Sequence, residues 1–229
     1  MNTLAGLLTE APIAPDIQGM PSIQEAAVET VRTMGSVRDE QIQSLVHQLF
    51  FRPAATPVRH VGFVAADPET ETAQLCLDVA TALAGMGTYD VGLIDARLQS
   101  VALHTQLEIT PDRDEGVAWQ IAPRLWLAPR RIWLDDSPSQ RVWDPSLAQL
   151  RTATMEFDYS IVCFDPISWV TTRISQTCDG LVLVLTANRT RRLVAAQIRE
   201  QMKKARVSLL GTVLAQRQFP VPEGLYRKL

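Results

Sequence analysis

The sequence predicts an α/β fold: a mostly parallel sheet with helices on both faces, preceded by an N-terminal helical arm. From residue 58 onward, short apolar runs alternate with longer segments of helical periodicity. Strands of a parallel sheet are apolar along their whole length because both of their faces are buried. The 229 residues, 46% of them hydrophobic and 21% charged, are enough for one such domain with a full core.

The predicted boundary between arm and domain lies in a proline-containing linker. Residues 1–57 form a flexible arm with helices, and residues 58–229 form the α/β domain. The first 22 residues of the arm have three prolines and few large apolar side chains, which is typical of a mobile segment. Helical periodicity then covers residues 23–50, with a second helix predicted from Asp39 to Phe51.

The predicted elements of the domain alternate in type along the chain. The strands are expected at residues 61–65, 90–95, 124–128, 159–164, 179–187 and 208–215. The helices are expected at residues 71–87, 144–157 and 190–205. This alternation is that of strand–helix–strand units, whose ligands bind beyond the carboxyl ends of the strands.

The first turn between a strand and a helix is A-A-D-P-E-T-E-T-A-Q, residues 65–74. In α/β folds a phosphate at this point is held by backbone N–H groups at the helix N-terminus. Three segments, of which this turn is the first, resemble the cytoplasmic kinase domain of bacterial tyrosine kinases from capsule and exopolysaccharide systems. These kinases belong to the MinD/ParA-type group of P-loop ATPases, and the resemblance covers about residues 40–229. It implies a P-loop NTPase-like fold.

The phosphate loop of that family has the pattern S-A-x-P-G-x-G-K-[ST]-[ST]. Pro68 is in register with the pattern, but Glu69 and Glu71 stand at the glycine positions. Thr72 stands at the position of the lysine that binds phosphate, and Ala73 stands at the position of the serine or threonine whose hydroxyl binds magnesium. Glycine allows the backbone to approach a phosphate closely, and two added carboxylates repel one. This vestigial loop therefore predicts no nucleotide cofactor and no metal.

The second family motif resembles L-L-I-D-A-D-L-R, and residues 92–99 are G-L-I-D-A-R-L-Q. Asp95 is retained, whereas Arg97 replaces the second aspartate. An arginine is neither a base nor a magnesium ligand. Alternate side chains of an extended segment face the same side, so an ion pair between Asp95 and Arg97 is predicted.

The third motif resembles F-D-Y-V-I-I-D-T-P-P, and residues 157–166 are F-D-Y-S-I-V-C-F-D-P. Cys163 stands where the family has the Walker B aspartate. Asp165 follows two residues later and is the alternative carboxylate, since side chains of a strand repeat with a period of two.

Two features tied to assembly and phosphorylation in this family are also altered. The family helix before the first strand has the element E-x-x-R-x-x-R. Glu40 matches it, but Gln43 and Val46 replace the arginines, so the family-type ring is not expected. Tyr226 is the single tyrosine in the tail, where such kinases have a tyrosine cluster.

Two kinds of side chain are candidates for a partner surface. Trp169 follows the altered Walker B segment and is predicted to meet a partner or to fill part of the vacant crevice. The segment 190–205 is predicted to be an amphipathic basic helix, whose charged side chains form either a solvated face or a contact with anionic lipid or an acidic partner. Its candidate residues are Arg191, Arg192, Arg199, Lys203 and Lys204. The net charge of −3 makes nucleic acid an unfavourable partner.

The resulting interpretation is a non-catalytic pseudo-ATPase or pseudo-kinase that regulates or scaffolds exopolysaccharide biosynthesis or export. The resemblance implies a membrane chain-length determinant or an active kinase as partner, and a location in the cytoplasm or at the inner face of the membrane. One alternative is an active ATPase or autophosphorylating protein-tyrosine kinase, with ATP and magnesium bound through Thr72, Asp95 and Asp165. Another is a partition or positioning protein that binds membrane or DNA through the basic helix.

Overall fold

The structure is a computed structural model. It describes residues 23–53, 56–70, 72–109, 118–133 and 147–215, with side chains from Val37 onward. The chain divides into two compact units at Glu40. The described part of the first unit is helical throughout, and the second unit begins with Gln41. The boundary predicted at residue 57 stays a prediction.

Seven strands and six α-helices are formed by the described residues. The strands are β1 His60–Ala65, β2 Val91–Ala96, β3 Trp119–Ala122, β4 Leu125–Ala128, β5 Tyr159–Phe164, β6 Gly180–Thr186 and β7 Leu209–Ala215. The helices are α1 Ile23–Phe50, α2 Ala73–Gly85, α3 Leu103–Gln106, α4 Leu147–Met155, α5 Trp169–Ile174 and α6 Arg192–Lys204. Among the described residues, no helix is both long enough and apolar enough to cross a membrane.

The strands form one sheet in the order β3-β4-β2-β5-β1-β6-β7. All neighbouring strands are parallel except β3 and β4, which are antiparallel at one edge. The predicted α/β fold with a mostly parallel sheet is confirmed. The order places β2, β5 and β1 side by side at the centre, so the segments that follow these three strands meet at one edge of the sheet.

Two apolar clusters form the core of the second unit. One contains Cys76, Val79 and Leu83 of α2 together with the buried Val46 of α1. The other contains Leu150 of α4 and side chains of α6 and of the central strands. Each cluster joins helices to strands, as expected for strands that are apolar along their whole length.

The structure differs from the sequence prediction at α1, α3, α5 and β3, of which the four-residue helix α3 was not predicted. The two helices expected within residues 23–51 are one helix, α1, because a single glycine such as Gly35 costs a helix only about 1 kcal/mol. The sequence did not predict β3, whose four residues pair irregularly with β4. It also missed the six-residue helix α5, whose N-cap Ser168 accepts a hydrogen bond from the backbone N–H of Thr171.

Gly92 on β2 is a point of close packing. A Cβ atom at this position would lie 2.2 Å from a ring carbon of Phe157, and Phe157 is itself buried. Since packed interiors have few voids, the ring has little room to move. Any side chain at residue 92 is therefore expected to displace Phe157.

We predict that Gly92→Ala lowers the free energy of unfolding by about 1–3 kcal/mol, the usual cost of overpacking. Gly85→Ala is the matched control, because no heavy atom lies within 4 Å of a Cβ added there. The control should leave stability unchanged or raise it by up to about 1 kcal/mol, since alanine favours a helix. Urea denaturation of both variants measures this difference, and equal effects would contradict the packing at Phe157.

Candidate functional site

A cavity of about 460 Å³ lies at the edge of the sheet where β1, β2 and β5 end. It is lined by the loop after β1, by the segment after β2 and by the end of β5. Pro68 and Thr72 contribute from the first, Arg97 from the second and Phe164 from the third. The cavity therefore occupies the place where α/β folds bind their ligands.

Two backbone N–H groups of the loop after β1 donate hydrogen bonds to Asp67 of the same loop. The N–H of Glu69 donates to Oδ1 of Asp67 over 3.2 Å. The N–H of Thr70 donates to the backbone carbonyl of Asp67, also over 3.2 Å. In a phosphate loop such N–H groups point to the ligand. Here they already have acceptors within the loop.

The Asp67 carboxylate also ties the loop to the end of β6. Its Oδ1 accepts a hydrogen bond from Thr70 Oγ1 and its Oδ2 accepts one from Thr190 Oγ1, both over 2.9 Å. Thr70 Oγ1 in turn lies 2.8 Å from Thr186 Oγ1 in a buried contact. The loop is thus fixed in place by hydrogen bonds that leave little freedom for an incoming phosphate. We call Asp67, Thr70, Thr186 and Thr190 the loop clamp.

Sequence reasoning did not find the loop clamp. The segment D-P-E-T, with aspartate first and proline second, is a signal for a type I turn. That pattern predicts the contacts between Asp67 and Thr70. It cannot predict the contacts with Thr186 and Thr190, because more than a hundred residues of chain separate them from the loop.

Thr72 and Cys163 face each other at the start of α2. Thr72 Oγ1 lies 3.7 Å from Cys163 Sγ, and both side chains are buried. Burial also raises the pKa of the neighbouring Cys76 thiol well above its usual range. A hydroxyl–thiol contact thus stands where the family pattern has a lysine and a carboxylate. Ala73, the first residue of α2, is buried and offers no hydroxyl.

The predicted ion pair between Asp95 and Arg97 is confirmed. Asp95 is completely buried, and its Oδ1 accepts hydrogen bonds from the backbone N–H and from Nε of Arg97, each over 3.2 Å. Asp95 Oδ2 accepts a hydrogen bond from the N–H of Leu103 over 2.6 Å. Arg97 Nη1 donates to Oε1 of Gln106, a residue that sequence reasoning missed. Asp95 therefore fixes Arg97 and the start of α3.

The Asp165 carboxylate accepts hydrogen bonds from the segment that follows β2. Its Oδ2 accepts hydrogen bonds from the backbone N–H groups of Leu98 and Gln99, over 2.5 and 2.8 Å. Its Oδ1 accepts from the N–H and the hydroxyl of Ser100. Asp165 is 8% exposed, and its carboxylate holds the segment after β2. Within the described part of the chain, no group of three or more His, Cys, Asp or Glu side chains is arranged to hold a metal.

Two of the remaining candidate residues, Glu69 and Trp169, are described by the structure, and neither lines the cavity. Glu69 is exposed and pairs with Arg189. Trp169 is 60% exposed and is not among the side chains that line the cavity, so the prediction that it fills the crevice is wrong. Glu71 and Tyr226 lie outside the described residues.

Helix α6 has the predicted amphipathic arrangement. Ile198 and Met202 are buried in the core. The candidate basic residues Arg191, Arg192, Arg199, Lys203 and Lys204 are all exposed. On α1, Gln43 is exposed, whereas Val46 is completely buried in the core at a position where the family pattern has an arginine.

We predict that Asp165→Asn destabilises the protein by about 2–4 kcal/mol. The amide keeps the size of the side chain but removes charge-assisted hydrogen bonds to the backbone. Asp158→Asn is the matched control, since Asp158 accepts one exposed hydrogen bond, from the N–H of Asp90. Urea denaturation without magnesium should show a small effect for the control. Equal stability of both variants would show that Asp165 does not anchor the segment.

No protein-family model matches the chain, and no curated protein matches its sequence. Solved structures do match. The kinase domain of VpsO aligns with a TM-score of 0.63 and 15% identity, over 81% of this chain and 99% of that one. The kinase domain of the Escherichia coli tyrosine kinase ETK aligns with a TM-score of 0.60 and 17% identity, over 80% and 78%.

A ParA family ATPase from Chlorobium tepidum TLS aligns with a TM-score of 0.52 and 18% identity, over 68% of this chain and 73% of that one. Identities this low establish the fold and leave the chemistry open. The chain therefore has the P-loop NTPase-like fold that these two kinase domains share with the ParA family ATPase, as the sequence resemblance predicted.

Proposed function

We propose that this protein is a non-catalytic pseudo-ATPase that acts through contact with a partner. The observation that carries this proposal is the closed loop after β1. The N–H groups of Glu69 and Thr70 are bound to Asp67, so two of the loop donors that a phosphate would use already have acceptors. The loop clamp supports the same conclusion, because it joins the loop to β6 and to the turn that follows β6.

The energetic cost of opening the loop supports this proposal. Each hydrogen bond to a charged group contributes about 1.5–3 kcal/mol, and Asp67 accepts three such bonds from side chains and backbone of the described residues. The lysine that would compensate is replaced by Thr72. A deficit above about 5 kcal/mol corresponds to more than a thousandfold in affinity. Mg·ATP binding at cellular concentrations would not overcome such a deficit.

The contacts of three side chains weigh against the active-enzyme alternative. That alternative needs Thr72, Asp95 and Asp165 to bind ATP and magnesium. Thr72 contacts Cys163, and Asp95 is bound to Arg97 and to the backbone of Leu103. Asp165 accepts hydrogen bonds from the segment after β2. Each group therefore has a structural role that competes with catalysis.

The proposed setting is exopolysaccharide biosynthesis or export, with a regulatory or scaffolding role. The three altered sequence motifs support it, as does a fold shared with the kinase domains of VpsO and ETK. The proposed partner is a membrane chain-length determinant or an active kinase of such a system. A cytoplasmic location, free or at the inner face of the membrane, fits both partners.

The exposed basic side of α6 supports a second contact, with anionic lipid. Its five cations are exposed while Ile198 and Met202 are buried, so the helix does not need the cations for packing. Basic side chains on an amphipathic helix favour anionic lipid. Such a contact would hold the protein beside a membrane partner. DNA as the ligand of this surface is the weaker alternative, given the net charge of −3.

We predict that millimolar Mg·ATP does not change the melting temperature of the protein. A ligand that binds only the native state stabilises it by RT ln(1 + [L]/Kd), which is about 4 kcal/mol for micromolar affinity at millimolar ligand. An intact site would therefore give a clear shift. Differential scanning fluorimetry with and without Mg·ATP is the measurement, and a clear shift of the wild type would favour the active enzyme.

Thr72→Lys alone should not restore binding, because the new ammonium group would be buried against Cys163, and the neighbouring Asp95 is already paired with Arg97. A variant with Glu69→Gly, Glu71→Gly, Thr72→Lys and Ala73→Ser restores the segment P-G-x-G-K-S of the loop pattern. Adding Cys163→Asp supplies the missing carboxylate. With Asp67→Ala added to remove the acceptor of the loop clamp, the resulting six-residue variant is the positive control: we expect it to melt higher with Mg·ATP than without it.

We predict that the protein sediments with vesicles of anionic phospholipid and that salt weakens this binding, since exposed charges are screened within about 8–10 Å at ordinary ionic strength. The triple variant Arg192→Gln, Lys203→Gln and Lys204→Gln should bind more weakly.

Its matched control removes the same charge from exposed arginines on other segments, through Arg59→Gln, Arg151→Gln and Arg173→Gln. This control should bind like the wild type. Equal sedimentation with neutral phosphatidylcholine vesicles, or equal loss in both triple variants, would rule out a lipid contact through α6.

A further inference from the structure

Arg97 places a positive charge in a cavity whose phosphate loop has lost its lysine. Its side chain is 4% exposed, and it lines the same cavity of about 460 Å³ as Thr72. The crevice therefore has a positive charge at residue 97 instead of at residue 72, where the family pattern has its lysine. It now extends from the segment after β2, where the family pattern has an aspartate.

The guanidinium group of Arg97 is incompletely bonded. Its Nε donates to Asp95 and its Nη1 donates to Gln106. Its Nη2 is buried and has no hydrogen-bond partner among the described residues. A guanidinium has five N–H donors, and a buried donor without an acceptor is unfavourable. An acceptor in the cavity beside Nη2 would remove this cost.

The charges around the cavity favour an acceptor of low negative charge. Asp95 neutralises one edge of the Arg97 guanidinium, and Asp165 is directed to the backbone of residues 98–100. The N–H donors of Arg97 Nη2 thus remain for a ligand. A carboxylate or a phosphate monoester accepts hydrogen bonds from such donors, whereas a triphosphate adds charge that no second cation among the described lining residues balances.

The rest of the lining is suited to an apolar ligand body. Phe164, Val101, Pro68 and Pro166 line the cavity alongside the hydroxyls of Thr70 and Ser100. Sites for small organic molecules have volumes of about 300–1,000 Å³ and combine apolar walls with a few polar groups. The cavity has this size and composition.

We propose that this cavity binds a small organic anion whose carboxylate or phosphate accepts hydrogen bonds from Nη2 of Arg97, without magnesium. The apolar part of the ligand lies against Phe164 and Val101. The site is independent of the partner role proposed above, since a ligand here requires neither the basic side of α6 nor a second protein.

Isothermal titration calorimetry of the full chain in EDTA tests this proposal with three probes of similar shape. Benzoate and phenyl phosphate carry the two candidate anionic groups, and benzamide is the neutral counterpart of benzoate. We expect saturable binding of at least one anion and none of benzamide. Preference between the two anions identifies the group. Lack of saturable binding by both anions, equal binding of benzamide, or a requirement for magnesium would overturn the proposal.

Two variants locate the site. Arg97→Lys keeps a cation beside Asp95 but removes the guanidinium edge, and should weaken anion binding about tenfold or more. Val101→Trp changes a residue that is 62% exposed and places a bulky group at the mouth of the cavity. It should block binding even if Arg97→Lys does not fold. Wild-type affinity in Val101→Trp and in folded Arg97→Lys would contradict a site in this cavity.

Discussion

The site depends on the Asp67 carboxylate. It accepts hydrogen bonds from the loop that follows β1 and from Thr190, which lies just beyond β6. Together with the bond from the N–H of Thr70 to the Asp67 carbonyl, they give two N–H groups of the loop acceptors within the protein. A carboxylate at this place also makes the loop negative where a nucleotide site must be positive. The chain thus has the strand–loop–helix geometry of the fold, and the loop is held by hydrogen bonds to its own Asp67.

The other changes in the crevice are consistent with this one. Removing only the lysine would leave the Walker B carboxylate buried without a partner, which is costly. Here both positions changed, and Thr72 contacts Cys163. After β2 a positive charge stands where the family pattern has a negative one: Arg97 occupies the position of the second aspartate and forms an ion pair with Asp95. Relative to the family pattern, the differences in charge therefore offset one another: Thr72 stands beside Cys163, and Arg97 beside Asp95.

The sequence predicts most of the sheet because apolar runs such as β1, β5 and β6 report burial directly. That the loop has no glycine or lysine at the positions of the family pattern is read directly from the sequence, since these groups have fixed positions in a local pattern. The sequence does not predict the edge strand β3. This strand has four residues and is only partly buried, so its hydrophobic pattern does not distinguish it from a loop. Contacts such as Asp67 with Thr190 depend on which strands are neighbours. No local pattern encodes that order, so half of the loop clamp was not predictable.

The most direct test of the closed loop is the behaviour of its two bonded amides. In ¹⁵N-labelled protein, the backbone resonances of Glu69 and Thr70 can be followed by NMR while Mg·ATP is added to millimolar concentration. The account predicts that both resonances stay in place, because their N–H groups remain bound to Asp67. Saturable shifts of both amides would show that the loop opens to hold phosphate, and would contradict the non-catalytic assignment.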